Sequence, residues 1–316
     1  MTKRIIIDCD PGQDDAVALL LAFASPDEIE LLGITTVGGN VPLKLTQRNA
    51  RMMCDIADMQ HVPVFAGCAE PLQQPLQTAE AIHGTTGING IDVFEPATPL
   101  QDKHAVDFII ETLLAADDNS ITLVPTGPLT NIASAIQREP GILARIERIV
   151  PMGGAMREGG NSTPSAEFNI LVDPHAADIV FRCGRPITAL GLDVTHQVLS
   201  TRDRVERIRA LGNPVAIAAA DMLSFFDRYD TEKYASEGAP LHDPCTVAWL
   251  LRPELFEGKD CNISIETESE LTLGHTAIDF WHVTGKPVNA TWVYAIDAPG
   301  FYELLTERLN RYGGAT

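Results

Sequence analysis

Ile5-Ile6-Ile7-Asp8-Cys9-Asp10-Pro11-Gly12-Gln13-Asp14-Asp15-Ala16-Val17-Ala18-Leu19-Leu20-Leu21 sets four carboxylates into a turn between two apolar runs. The first run is short and β-branched, the second is longer and helix-forming, and Pro11-Gly12 lies between. The stretch therefore reads as strand, tight turn, helix, with the acids at the strand's C-terminal end. Like charges so close repel one another, and the helix dipole returns only about 0.3–1 kcal/mol to each of Asp14 and Asp15. One Asp could cap the helix while the rest face water, but a cap needs only one. A bound cation answers for all four. Carboxylates without a His or thiolate at ligand spacing suit Ca²⁺ or Mg²⁺.

The same arrangement repeats outward from this stretch. Glu30 to Val37 reads as a second strand, ending in Gly38-Gly39-Asn40, and residues 43–60 have helical spacing. Pro63 to Ala66 make a short strand. Residues 67–103 form a long polar connection containing His83-Gly84-Thr85-Thr86-Gly87, and a connection of that length inside a compact domain is usually a functional loop or lid. A helix at 104–116 leads to the strand Ile121 to Pro125, closed by Thr126-Gly127-Pro128 before another helix from about Leu129. Ile146 to Met152 is a further strand, followed by a glycine-rich loop running to Ala166-Glu167-Phe168-Asn169. A helix near 174–183 precedes a strand from Pro186 to Leu190. Residues 201–235 read as helical, with Phe225, Phe226, Tyr229 and Tyr234 on an aromatic face. His242-Asp243-Pro244 precedes an apolar helix from Cys245 to Leu251, residues 261–296 suggest edge strands or a hairpin, and 299–312 a closing helix. This alternation predicts one α/β domain over 1–316: an open, mostly parallel, Rossmann-like twisted sheet flanked by helices, with extra strands near the C-terminus and a site at the strands' carboxyl edge.

Composition narrows the function. A hydrophobic fraction of 45% over 316 residues supports a large core, and 43 Asp plus Glu against 23 Lys plus Arg give a net charge of −20. That balance opposes nucleic acid and anionic membrane and favours a neutral or cationic small molecule. The six cysteines are scattered without a CxxC pair, and no run is long enough for a signal-peptide core or a membrane span, so a reduced cytoplasmic setting is expected.

The strand-end residues are Asp10, Asp14, Asp15, Asn40, Thr126, Asn161, Glu167, Asn169, His242 and Asp243. They are acids, amides, a hydroxyl and an imidazole, with no obvious covalent nucleophile and no glycine-rich phosphate loop. Several have plainer readings alone. Asp243-Pro244 fits a simple helix start, Thr126 can merely end its strand, and Glu167 and Asn169 have the spacing of an outward strand face. His83 and His196 read as ordinary loop histidines.

With Asp8-Cys9-Asp10-Pro11-Gly12-Gln13-Asp14-Asp15, Val124-Pro125-Thr126-Gly127-Pro128-Leu129-Thr130-Asn131, Ala166-Glu167-Phe168-Asn169-Ile170 and His242-Asp243-Pro244-Cys245 in order, the chain resembles the nucleoside hydrolase family nearly end to end. Those are calcium-dependent enzymes that cut the N-glycosidic bond of ribonucleosides in salvage. The resemblance implies one Ca²⁺ per subunit on Asp10, Asp15, Asp243 and the Thr126 carbonyl. It implies substrate contacts from Asp14, Asn40, Asn161, Glu167, Phe168 and Asn169, with Asp10 as general base. It also tips His83 toward the base, leaves His196 structural, and implies a homotetramer. Tyr229 and Tyr234 are candidates for the base pocket, and His242 for delivering a proton to the leaving base, because an unperturbed histidine pKa near 6.5 permits donation at neutral pH. The segment 238–244 and its flanking helix look closest to the bacterial pyrimidine-preferring branch, with a broad inosine/uridine hydrolase as the alternative. A haloacid-dehalogenase-like, Mg²⁺-dependent phosphatase would also use the Asp8-x-Asp10 pair, but so acidic a site is hostile to phosphate. A non-enzymatic carbohydrate- or calcium-binding module would leave the candidate base and histidine without a task.

Overall fold

In a computed structural model the described backbone covers residues 2–234 and 237–314, and side chains are described for all of these except 226–234. The side chains of Tyr229 and Tyr234 thus lie outside the described residues. The strands are β1 (Lys3–Cys9), β2 (Ile29–Thr36), β3 (Val64–Ala66), β4 (Leu100–Gln101), β5 (Ile121–Pro125), β6 (Ile146–Ile149), β7 (Thr188–Leu190), β8 (Leu199–Thr201), β9 (Gly238–Pro240), β10 (Phe256–Ile265), β11 (Thr276–Asp279) and β12 (Ala290–Ile296). Six of them form a fully parallel sheet in the order β4-β3-β2-β1-β5-β6. A second sheet, β11-β10-β12-β7, is antiparallel except where β12 meets β7. Parallel bridges Ile149 to Ile187 and Met152 to Leu190 tie the two sheets together, and β8 and β9 form a small antiparallel ribbon.

The apolar run of β1 follows from its place at the centre of the parallel sheet. Ile5, Ile7 and Cys9 pack into one core layer and Ile6 into the other, so both faces are covered and no polar alternation appears until Asp8. The helix Gln13–Phe23 is buried along its whole length, packed against the helices Pro214–Tyr234, Pro244–Leu251 and Ala298–Asn310. That explains a sequence apolar on every side. After β1 the chain turns to β2 on one side, while β5 lies on the other. The strand order reverses at β1, the position where open α/β sheets leave a crevice beyond their carboxyl ends.

Several expected boundaries move for identifiable reasons. The helix expected over 201–235 is two, Arg202–Arg209 and Pro214–Tyr234. Gly212 adopts a positive φ, Asn213 Oδ1 accepts from Ala216 N at 2.8 Å, and Pro214 starts the second helix. The connection 67–103 contributes a short helix, Glu80–His83, and β4, which extends the sheet by one strand. The C-terminal strands begin at Phe256, and β10 is flanked by β11 and β12, making more than a hairpin.

Candidate active site

The turn after β1 buries its acids. Asp8, Asp10, Asp14 and Asp15 are all buried, as is Asp243, delivered by the residue before the helix Pro244–Leu251. Asp15 closes the first helix turn by accepting from Gly12 N at 3.0 Å, and its other oxygen accepts from the Thr126 hydroxyl at 2.7 Å. Asp10 Oδ2 accepts from Asn40 N at 2.7 Å, which joins the ends of β1 and β2. Asp10 Oδ1 and Asp14 Oδ1 are buried without a hydrogen-bond partner. A Cβ on Gly39 or on Gly127 would collide with the Asp10 carboxylate, so both glycines are needed for it to sit there.

Carboxylate oxygens of Asp14, Asp15 and Asp243 lie within 4.8 Å of one another. Asp10, expected among the ligands, is outside that group, and Asp14, expected to grip the sugar, is inside it. Burial pushes Asp14 up to about 7, aided by the neighbouring Asp15 charge, and drives Asp10 and Asp243 well above the usual carboxylate range. Orphaned buried oxygens and mutually repelling carboxylates made only of hard donors fit a divalent cation such as Ca²⁺. The Thr126 carbonyl faces the same region and accepts from Asn169 Nδ2 at 2.7 Å.

Facing the acids is a wall the sequence spacing did not reveal. Glu167 is the N-cap of the helix Phe168–Val172, accepting from Asn169 N at 2.9 Å, Gly154 N at 3.0 Å and Ile170 N at 3.3 Å. Its two-residue spacing to Asn169 therefore reflects a cap and not a strand face. Burial outweighs those three donors and raises Glu167 to about 7. Asn161 Oδ1 accepts from Phe168 N at 2.9 Å, holding the glycine-rich loop against this helix.

A cavity of about 490 Å³ joins these groups: Asp14, Asn40, Thr126, Asn161, Glu167, Phe168, Asn169, His83, His242 and Asp243 all line it. So does His196, read from sequence as structural; its Nδ1 lies 3.0 Å from Glu158 Oε2. His242 Nδ1 is 2.7 Å from Thr195 Oγ1. Burial first, then neighbouring His196 and His83, pull His242 down to about 3, so its ring is neutral at pH 7, unlike the titrating loop histidine expected. Gln13, Gly39, Gly127 and Thr195 carried no sequence signal for their part in the site. Each becomes visible only through what it touches across the fold.

The family model described as inosine-uridine preferring nucleoside hydrolase matches residues 5–303. A Shewanella sp. (strain ANA-3) protein named pyrimidine-specific ribonucleoside hydrolase RihA is 49% identical over 313 residues, covering 99% of this chain and 98% of its own. Among solved structures, a purine-preferring ribonucleoside hydrolase from Gardnerella vaginalis superposes with a TM-score of 0.91 at 34% identity, covering 98% of this chain and 99% of its own. The plant nucleoside hydrolase PpNRh1 does so at 0.92 and 30%, with the same coverage.

Proposed function

The chain belongs to the inosine-uridine preferring nucleoside hydrolase family, and from that premise we propose that it cleaves uridine and cytidine to free base and ribose, in preference to purine nucleosides, with one Ca²⁺ per subunit. The observation that carries the reading is the cavity itself, with buried carboxylates at one wall and the Glu167–Asn169 amide and carboxylate wall at the other. The pyrimidine preference rests on the relative named pyrimidine-specific at 49% identity. The broader inosine and uridine specificity stays as a second reading because a purine-preferring structure shares the fold at 34%.

Asp15, Asp243, Asp10 and the Thr126 carbonyl would hold the cation, with Asp14 beside them. A bound divalent cation would supply Lewis acidity there, lowering the pKa of a water and favouring diol oxygens as ligands. Asp10 takes the water's proton through Oδ1, the oxygen without a partner, while Asn40 N steadies Oδ2. The water oxygen bonds to the anomeric carbon as the carbon–nitrogen bond breaks, and that electron pair leaves with the base. Glu167 balances the positive charge that develops on the sugar ring. Asn40, Asn161 and Asn169 fix the ribose, Phe168 packs against the substrate, and His83 contacts it from the other side. His242, neutral and held by Thr195, donates a hydrogen bond to the departing base. The chain works as one domain in a cytoplasmic homotetramer that salvages bases. No helix among the described residues is long and apolar enough to cross a membrane.

The test is a panel of uridine, cytidine, inosine and adenosine compared by kcat/KM, with and without chelator. Uridine and cytidine ahead of both purine nucleosides, and loss of all activity in chelator, is the expected outcome. Comparable inosine and uridine rates would favour the broader specificity, and no ribose released from any of them would reject the reading.

A further inference from the structure

The strap carrying His83 is fastened to the acid turn through a wholly buried side chain, Gln13. Both ends of its amide face the same residue: Oε1 is 2.7 Å from His83 Nδ1, and Nε2 is 3.5 Å from the His83 carbonyl oxygen. That carbonyl can only accept, and Asn89 Nδ2 already donates to it at 2.6 Å. The Gln13 atom facing it is therefore the NH₂ group, and the atom facing the ring is the amide oxygen. An amide oxygen can only accept, so His83 Nδ1 carries the proton. In a neutral imidazole the other nitrogen, Nε2, then has a lone pair and no hydrogen. Burial supports the neutral form by pulling His83 down to about 4.

Glycines at two positions admit this close approach. A Cβ on Gly12 would collide with His83 Nδ1, and one on Gly84, which has a positive φ of 78°, would collide with Asn89 Nδ2. The same position on Gly12 lies 3.1 Å from Asn40 Nδ2, so the His83 ring stands beside Asn40, at the sugar end of the cavity. We propose that Gln13 is a positioning residue that locks His83 in its Nδ1–H tautomer, so that Nε2 can accept a hydrogen bond but not donate one. The consequence for the substrate rests on the proposed nucleoside hydrolysis, and the tautomer does not. His83 thereby holds no proton at Nε2 to give the leaving base.

Two-bond ¹H–¹⁵N correlation spectra of the ¹⁵N-histidine-labelled protein, without substrate, distinguish the two ring nitrogens, and the signal lost in His83→Asn identifies this residue. A bare Nε2 is expected in the parent protein, and a proton on Nε2 there would overturn the lock. In Gln13→Met, which keeps the shape but not the amide, Nε2–H should become populated; an unchanged tautomer would overturn the role of Gln13. Gln13→Met should also lower kcat/KM on uridine roughly 3- to 10-fold, the worth of one hydrogen bond. That loss should disappear in a His83→Ala background, and additive losses would overturn the coupling. A protein that cleaves no nucleoside removes the kinetic arm together with the proposed function, while the spectra still decide the tautomer.

Discussion

The two ends of the cavity are built differently. The acidic end is made where β1, β2 and β5 stop, and its groups are fixed from several directions: Asp10 lies between Gly39 and Gly127, and Asp15 is held by Gly12 and Thr126. The far end draws on the glycine-rich loop, with Glu158, Gly160 and Ser162, on the small ribbon, with Leu199 of β8 and Pro240 of β9, and on His242. On the proposed function, chemistry that tolerates no misplacement would sit on strand tips, where neighbouring strands fix position. Recognition of a variable group would sit on a loop and a two-stranded ribbon, which can change without disturbing the six-stranded sheet.

If that contrast is sound, substitutions at the acidic end should strike turnover and those at the far end should strike selectivity. Asp10→Asn keeps the shape and removes the proposed base, so kcat on uridine should fall by about 10²–10⁴ with KM little altered. A loss confined to KM would break the comparison at its strongest point. His242→Ala tests the border between the ends. On uridine it should cost at least about 10² in kcat, whereas nitrophenyl riboside, whose leaving group needs no help, should be spared. Equal losses on both substrates would reassign His242 to holding the sugar or the acids. Replacing uridine with deoxyuridine leaves the sugar wall with an unpaired buried group, worth about 1–3 kcal/mol, and kcat/KM should drop accordingly by roughly 5- to 150-fold. Phe168→Ala should cost the least, less than about tenfold in kcat/KM on uridine. Its clearer effect should be a changed ratio of uridine to inosine cleavage.

The acidic end also predicts a pH dependence of stability that metal should cancel. Asp8, Asp14 and Glu167 are each pushed to about 7 by burial, above the values of near 4 in an unfolded chain. The folded state therefore binds more protons between pH 4 and 7, and stability falls as pH rises through that window. Metal-free protein should melt several degrees lower at pH 8 than at pH 5, measured by calorimetry in chelator. Saturating Ca²⁺ should raise the pH 8 value most and flatten the trend, since ligand binding to the folded state adds stability.

The same division governs what the sequence could tell. Asp10, Asp14 and Asp15 were legible because one local pattern, an apolar strand, a turn and an apolar helix, holds them together. The doubly wound sheet was legible from the repeated alternation of that pattern. Gly39, Gly127, Gln13 and Thr195 were not, because each acts on a residue far away in sequence or across a turn, and no periodicity encodes that. The setting of Glu167 was left open by the sequence: a two-residue spacing to Asn169 fits a strand face as well as an N-cap with the next helical residues. The break at Gly212-Asn213-Pro214 was available in the residues themselves, as a helix stop, a cap and a permitted first-turn proline. The helix-forming residues on either side obscured it. β4 has two residues and no signal of its own.

The helix Gln13–Phe23 packs against Pro244–Leu251, and Asp243 at the start of the latter joins acids from the start of the former. During synthesis the ribosome releases the repelling turn first and its last carboxylate only when most of the chain has emerged. Until then the first helix lacks the surfaces of Pro244–Leu251 and Ala298–Asn310, and the acid cluster lacks one of its carboxylates. A chain stopped anywhere before Asp243 should therefore be inert, however much of the six-stranded sheet it has formed.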